Sequence, residues 1–282
     1  MRVFVAGGMG AIGRAVVPRL VEAGHEVVAT ARRAAGREWL AGHGAKPVQV
    51  DVFDAAELAA TVVAAAPDVI VHQLTALSSG SSAENAALRR DGTRNLMNAS
   101  LAAGVGRIVA QSISWAYQAG TASADESTPL DTLASGPRAV TVGGVRTLED
   151  AVTAIPRYVI LRYGTLYGPG TWYTRGGLMT GKLRSGELLA NEAVSSFLHV
   201  DDAADAAVQA LHWPSGPVNI VDDEPAPAWK WLPAFAAAVG EPPPDRRTGR
   251  AGWERGARNT RARQLGWVPQ HPTWSSGFSA TL

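Results

Sequence analysis

Residues 3–13 read Val3-Phe4-Val5-Ala6-Gly7-Gly8-Met9-Gly10-Ala11-Ile12-Gly13, an apolar run that ends in a cluster of glycines. The run suits a buried parallel strand, and the residues after Gly10 carry helical spacing. Three glycines in such a strand-to-helix turn have separate tasks. Gly7 takes the sharp turn, Gly10 lets the backbone approach a pyrophosphate, and Gly13 lets the helix pack closely on the strand. The helix N-terminus at Ala11 and Ile12 then offers unpaired N–H groups and a positive dipole end to phosphate. Two spacings coexist here: Gly8, Gly10 and Gly13 make one glycine pattern, and Gly7, Gly10 and Gly13 another.

Working outward, short apolar runs alternate with helical stretches as far as about residue 163. Val27–Ala29, Pro47–Val50, Val69–Val71, Ile108–Ala110 and Tyr158–Leu161 continue the strand series. Helices are expected at about 11–23, 54–65, 84–103 and 138–154. This alternation predicts an α/β fold, a doubly wound parallel Rossmann sheet with right-handed crossovers. Beyond residue 163, glycine, proline and tryptophan become frequent, and strands such as Ser196–Val200 and Val218–Val221 stand further apart. The expected division is a dinucleotide-binding domain over 1–165 and a small C-terminal substrate lobe over 166–282, interleaved with the sheet edge. The site is expected at the carboxyl ends of the strands, between the two parts.

The second strand ends in Ala31-Arg32-Arg33. A site selective for NAD places a carboxylate there for the ribose 2′-hydroxyl, whereas two guanidinium groups suit a 2′-phosphate. NADP is therefore the expected cofactor, with NAD as the alternative. Asp51 and Val52, at the end of the third strand, are placed to meet the adenine, although an Asp there also suits a helix cap.

Composition narrows the partners. With 26 basic and 25 acidic residues there is no strong charge to recruit nucleic acid or an anionic membrane surface. Cysteine is absent, which removes disulfides, thiolate metal sites and thiol nucleophiles. No window is apolar for the eighteen or so residues of a membrane helix. A cytoplasmic protein with a small-molecule substrate is expected, as monomer or homodimer, without metal, nucleic acid or membrane.

Several spaced motifs together resemble the extended short-chain dehydrogenase/reductases, the NAD(P)-dependent epimerase/dehydratase family. The N-terminal glycines are similar to that family's T-G-x-x-G-x-x-G, with Ala6 at the threonine position. His72-Gln73-Leu74-Thr75-Ala76 resembles the segment bordering the cofactor ribose. Leu161 to Gly170 is similar to L-R-x-x-x-x-Y-G-P-G, and Phe197 to Ala204 to F-V-H-V-D-D-x-A. The resemblance implies cofactor contacts from Leu74, Thr75, Ala76 and Tyr163. It also implies a Y-x-x-x-K pair on the helix after the fifth strand, where the lysine holds the ribose and the tyrosine passes a proton. Here those positions are Val142 and Arg146. Valine transfers no proton, and arginine does not titrate near neutrality. The chain thus resembles the atypical branch of the family.

The candidate replacements are Ser112 and Ser114, after the fifth strand, with Tyr117, Tyr167 or Tyr173 arriving from loops and Arg146 holding the ribose. Trp115, Tyr167 and Trp172 are expected to wall an apolar or aromatic substrate pocket. His199 reads as a core or turn histidine, and Asp201-Asp202 as a helix cap. The expected function is an NADP-dependent oxidoreductase acting on a carbonyl or alcohol of a small, fairly apolar metabolite through a non-standard proton donor. Two other functions fit the same residues: a non-redox isomerase, dehydratase or cyclase, and a non-catalytic dinucleotide sensor.

Overall fold

The computed structural model describes residues 1–76 and 81–282. In chain order the elements are β1 (Arg2–Ala6), α1 (Ala11–Glu22), β2 (Glu26–Thr30), α2 (Ala34–Gly42), β3 (Lys46–Val48), α3 (Ala55–Ala65), β4 (Val69–His72) and α4 (Ser82–Ala87). A π-helical turn, Leu88–Gly92, leads into α5 (Thr93–Ala102), followed by β5 (Arg107–Ile113), α6 (Gly136–Val152), β6 (Arg157–Tyr163) and β7 (Thr165–Tyr167). Then come α7 (Leu178–Arg184), β8 (Val194–Ser195), β9 (Phe197–His199), α8 (Val200–Gln209), β10 (Gly216–Ile220), β11 (Ala226–Pro227), α9 (Ala228–Val239), α10 (Thr260–Gln264) and α11 (Trp274–Thr281).

The central sheet has seven strands in the order β10-β6-β5-β4-β1-β2-β3. β1 pairs in parallel with both β2 and β4, so the chain reverses its direction of travel across the sheet at β1 and β4. That reversal is the point where open parallel sheets bind ligands, beyond the strands' carboxyl ends. At those ends the Gln73 amide donates to the Ala6 carbonyl at 2.8 Å, which ties the two exits together.

The chain forms two compact units. The first comprises Met1–Ser112, Thr132–Leu161 and Ala204–Pro217; the second comprises Ile113–Asp131, Arg162–Ala203 and Val218–Leu282. In the first unit, Phe4, Ile70, Ile108 and Ile160 from the strands pack with Leu58, Leu96, Leu148 and Val152 from the helices. In the second, Tyr167, Phe197, Trp231, Phe235, Trp274 and Phe278 form an aromatic core. Among the described residues no helix is long and apolar enough to cross a membrane.

Local chemistry explains the element boundaries. Asp54, not Asp51, caps α3, its Oδ1 accepting the amides of Ala56 and Glu57 at 3.1 and 2.9 Å. Asp51 instead accepts the Phe53 amide at 3.0 Å within the preceding turn. The helix expected over 84–103 is interrupted by the π-helical turn. Gly143-Gly144 reads as a weakness in α6, yet the helix is continuous. A Cβ at Gly144 would lie 3.1 Å from the Ala86 Cα, so this glycine lets α6 approach α4 closely.

Candidate functional site

In the first unit the glycine turn takes the Gly7, Gly10, Gly13 form. Gly7 sits at φ +98°, and a Cβ there would lie 2.6 Å from the Gln73 carbonyl oxygen. A Cβ at Gly13 would collide with the Gly7 carbonyl oxygen and stand 2.8 Å from the Gly8 carbonyl carbon. Gly10 differs: its nearest neighbour would be the Gly7 oxygen at 3.5 Å, an ordinary contact. Gly10 is the N-cap of α1, with no side-chain cap and no acidic residue in the first turn. The amides of Ala11, Ile12 and Gly13 therefore head a bare, positively polarised helix end. The turn fits a dinucleotide pyrophosphate, with tight packing at Gly7 and Gly13 and open space over Gly10.

Arg32 and Arg33 follow β2 and are exposed. Arg33 is the N-cap of α2, and neither guanidinium makes a hydrogen bond or ion pair among the described residues. Arg14 places its Cζ 5.4 Å from the Trp39 ring centre. Val52 is buried and its carbonyl accepts from Asn95 at 3.0 Å.

The segment after β4 is clamped. His72 is fully buried, with Nε2 at 2.9 Å from the Thr93 hydroxyl and Nδ1 accepting the Leu74 amide at 3.3 Å. Burial, aided by the charge of Arg89, pushes this imidazole down to about 4. The Leu74 carbonyl accepts from Gln111, and the Ala76 amide donates to Asn85 Oδ1 at 3.0 Å. Leu74, Thr75 and Ala76 are half-buried at the exit of β4.

On α6, Val142 is 1% exposed while Arg146, one turn later, is exposed. Glu149 lies on the same buried stripe as Val142 and Val145, and Ser112 donates its hydroxyl to Glu149 Oε1 at 2.6 Å. The Ser112 proton is thus engaged inside the first unit. Arg89, on the π-helical turn, is 4% exposed with Nε unpartnered; desolvation lowers it to about 10, with the Glu149 charge acting the other way. The sequence reading missed Glu149 and Arg89. The signal was a carboxylate at positions i+7 and i+4 from two buried valines, on a face that should be apolar.

In the second unit, Tyr117 does not stand free as a proton donor. Its hydroxyl donates to Asn219 Oδ1 at 2.6 Å and accepts from Arg162 at 3.0 Å. Burial holds its pKa up at about 12 against the nearby guanidinium. Tyr167, expected at the substrate, is fully buried in the aromatic core with Oη unpartnered, 5.1 Å by ring centres from both His199 and Phe278. Tyr163 is also buried, its hydroxyl reaching the Ala203 carbonyl at 3.4 Å.

A cavity of about 290 Å³ opens in this unit among Ser114, Trp115, Thr165, Trp253, Glu254 and residues 193–196. Ser114 and Trp115 line it, whereas Trp172 does not. Trp253 forms its second aromatic wall, 6.5 Å from Trp115 by ring centres.

His199 is buried, with Nδ1 accepting the Asp201 amide at 3.2 Å and its ring 3.8 Å from that of His271. Ligand-type atoms of His199, Asp201 and His271 lie within 4.8 Å of one another, a grouping the sequence did not suggest because its ends lie 72 positions apart. Asp202, expected as a cap, instead accepts the backbone amides of Gln270 and His271 at 2.6 and 3.0 Å.

The profile described as the NAD dependent epimerase/dehydratase family matches residues 3–221. The chain belongs to that family. Among curated proteins it is similar to a 3-diazoavenalumate denitrifying reductase from a Streptomyces species, 43% identical over 99% of both chains. Its fold is similar to UDP-glucose 4-epimerase of Thermotoga maritima solved with UDP-glucose, at a TM-score of 0.78 and 21% identity, over 100% of this chain and 97% of that one. It is equally similar, at a TM-score of 0.78 and 23% identity with the same coverage, to Thermus thermophilus UDP-glucose 4-epimerase in complex with NAD. This epimerase/dehydratase family member is an NAD(P)-dependent oxidoreductase, and its cofactor is a nicotinamide dinucleotide.

Proposed function

We propose that this protein is an NADPH-dependent reductase that replaces a diazo group by hydrogen, releasing dinitrogen. The observation that carries the reading is Val142, buried on α6 where the family resemblance implies a proton-donating tyrosine. Reduction of a carbonyl leaves an alkoxide that must be protonated, so a valine there is a severe handicap. A diazonium carbon makes no such demand. The carbon gains a hydride, the C–N bond breaks with its electron pair going to nitrogen, and the leaving group departs as neutral N₂. Two electrons and one hydrogen enter the carbon, and no proton is needed. The name of the 43% identical relative, a denitrifying reductase of a diazo compound, supports the same chemistry.

When bound, the reduced nicotinamide supplies the hydride. The chain's own part is to hold and exclude. The Gly7–Gly13 turn and the bare α1 terminus would hold the pyrophosphate, Arg32 and Arg33 the 2′-phosphate, and Arg146 the nicotinamide ribose. Ser112, engaged by Glu149, offers no loose proton, and buried Val142 contributes an apolar surface.

Two outcomes are expected. With NADPH deuterated at C4 on the transferred face, the denitrified product carries deuterium at the former diazo carbon, and product formed in D₂O from unlabelled NADPH carries none. Label arriving from solvent, or no NADPH oxidation with an aryldiazonium substrate, would overturn the reading. Separately, Arg32→Asp together with Arg33→Ala is expected to weaken NADPH binding by roughly 10- to 150-fold, the equivalent of one lost charge-assisted hydrogen bond of about 1.5–3 kcal/mol. NADH binding should hold steady, so an unchanged NADPH/NADH affinity ratio would remove the arginines from cofactor choice.

A further inference from the structure

We propose that the cavity between Trp115 and Trp253 recognises a planar aromatic cation, with the ring against the two indoles and the positive charge facing Glu254. The inference rests on the diazo reading above and deepens it, because an aryldiazonium ion is both planar and cationic.

Four features of the second unit converge. First, the two indoles meet at an interplanar angle of 44° with centres 6.5 Å apart, which makes an aromatic corner and not a filled stack. Second, Trp115 is 40% exposed, and an indole open onto a cavity is apolar surface suited to an apolar partner. Third, Glu254 is the charged side chain of the lining. Its Oε2 accepts the Ala251 amide at 2.6 Å, which fixes the carboxylate, while Oε1 makes no hydrogen bond or ion pair among the described residues. The neighbouring cations are turned elsewhere: Arg250 donates to the Glu254 backbone carbonyl, and Arg255 to the carbonyls of Gln118, Ala119 and Ala122. Fourth, the rest of the lining is small and neutral, with Ser114, Thr165 and Gly256 presenting no positive charge.

Aromatic faces beside a carboxylate attract cations through the ring quadrupole and through Coulomb's law, and the same arrangement repels phosphate. The volume agrees. About 290 Å³ is roughly twice the ~150 Å³ void that admits a benzene ring, enough for one ring with a short side chain.

The test uses the full chain and two unreactive probes of matched shape, phenyltrimethylammonium and neutral tert-butylbenzene, with binding read from tryptophan fluorescence and calorimetry. The protein is expected to prefer the cation by about five- to thirtyfold. Glu254→Gln, which keeps an oxygen for the Ala251 amide, is expected to abolish that preference while leaving the neutral probe's affinity in place. Trp253→Leu should weaken both probes. Equal binding of the two probes by the unmodified protein, or a preference that survives Glu254→Gln, would overturn the inference. The two readings fail separately. Denitrification without probe discrimination sinks only the cation site, and probe discrimination without denitrification sinks only the proposed reaction.

Discussion

Gly13→Ala is expected to weaken both dinucleotide binding and the fold, whereas Gly10→Ala is expected to weaken binding alone. The two glycines stand three residues apart in one turn, yet what surrounds them differs. A Cβ at Gly13 meets backbone, the Gly7 carbonyl oxygen and the Gly8 carbonyl carbon, neither of which can rotate away. Relief requires α1 to move off β1, and forced overpacking of this kind costs about 1–3 kcal/mol. Because the same movement displaces the amides of Ala11 and Ile12, affinity for NADPH should fall by at least roughly 5- to 150-fold, with a matching drop in melting temperature. At Gly10 the protein leaves room, with only the Gly7 oxygen near at 3.5 Å. A methyl group there occupies the space a pyrophosphate would take, so the melting temperature of the free protein should be unchanged while binding is lost. Fluorescence titration with NADPH and thermal denaturation of the nucleotide-free protein check both halves. Normal NADPH affinity in Gly10→Ala would mean that the pyrophosphate does not cross this turn.

The same contrast shows what was legible in the sequence. Strand β1 and its glycines can be read because every requirement is local: an apolar run, a positive φ at Gly7, a close approach at Gly13. Even so, the choice between the two glycine spacings needed the fold, since only there does Gly13 rest on the carbonyl of Gly7. Helix α2 was not legible. Its nine residues, Ala34–Gly42, bury only Gly36 and Leu40, which leaves almost no amphipathic stripe to detect. The expected helix over 84–103 hid a π-helical turn because periodicity survives one widened turn. Tyr167 was placed at the substrate by its motif, but the short β7 strand, paired with β9, turns its ring into the aromatic core. Trp253 was missed for a different reason. It joins Trp115 across 138 residues of chain, and no local pattern carries a contact of that range. Glu149 was the readable omission, a carboxylate at helical spacing on an apolar face.

Glu149→Ala is expected to destabilise the first unit. Its carboxylate accepts the Ser112 hydroxyl at 2.6 Å and is the charge that opposes the desolvation of Arg89. With Glu149 6% exposed and Arg89 4% exposed, neither finds compensation in water. Removing the carboxylate leaves the Ser112 hydroxyl without its acceptor and the buried guanidinium without an opposing charge, at a cost of about 1–3 kcal/mol. For a chain of this size that corresponds to a fall of roughly 2–12 °C in melting temperature. Glu149→Gln separates the two roles, because it keeps an oxygen for Ser112 and removes only the charge facing Arg89. It should fall between Ala and the unmodified protein. The decisive arm is the double variant Glu149→Leu with Arg89→Met. Taking out both charges removes the desolvation penalty together with the attraction, so the pair should recover most of the stability lost in either single variant. Strictly additive losses in the double variant would show that Arg89 and Glu149 do not depend on each other. Recovery of stability with retained NADPH binding would show instead that this buried pair supports the frame of α6 and is not needed to hold the cofactor.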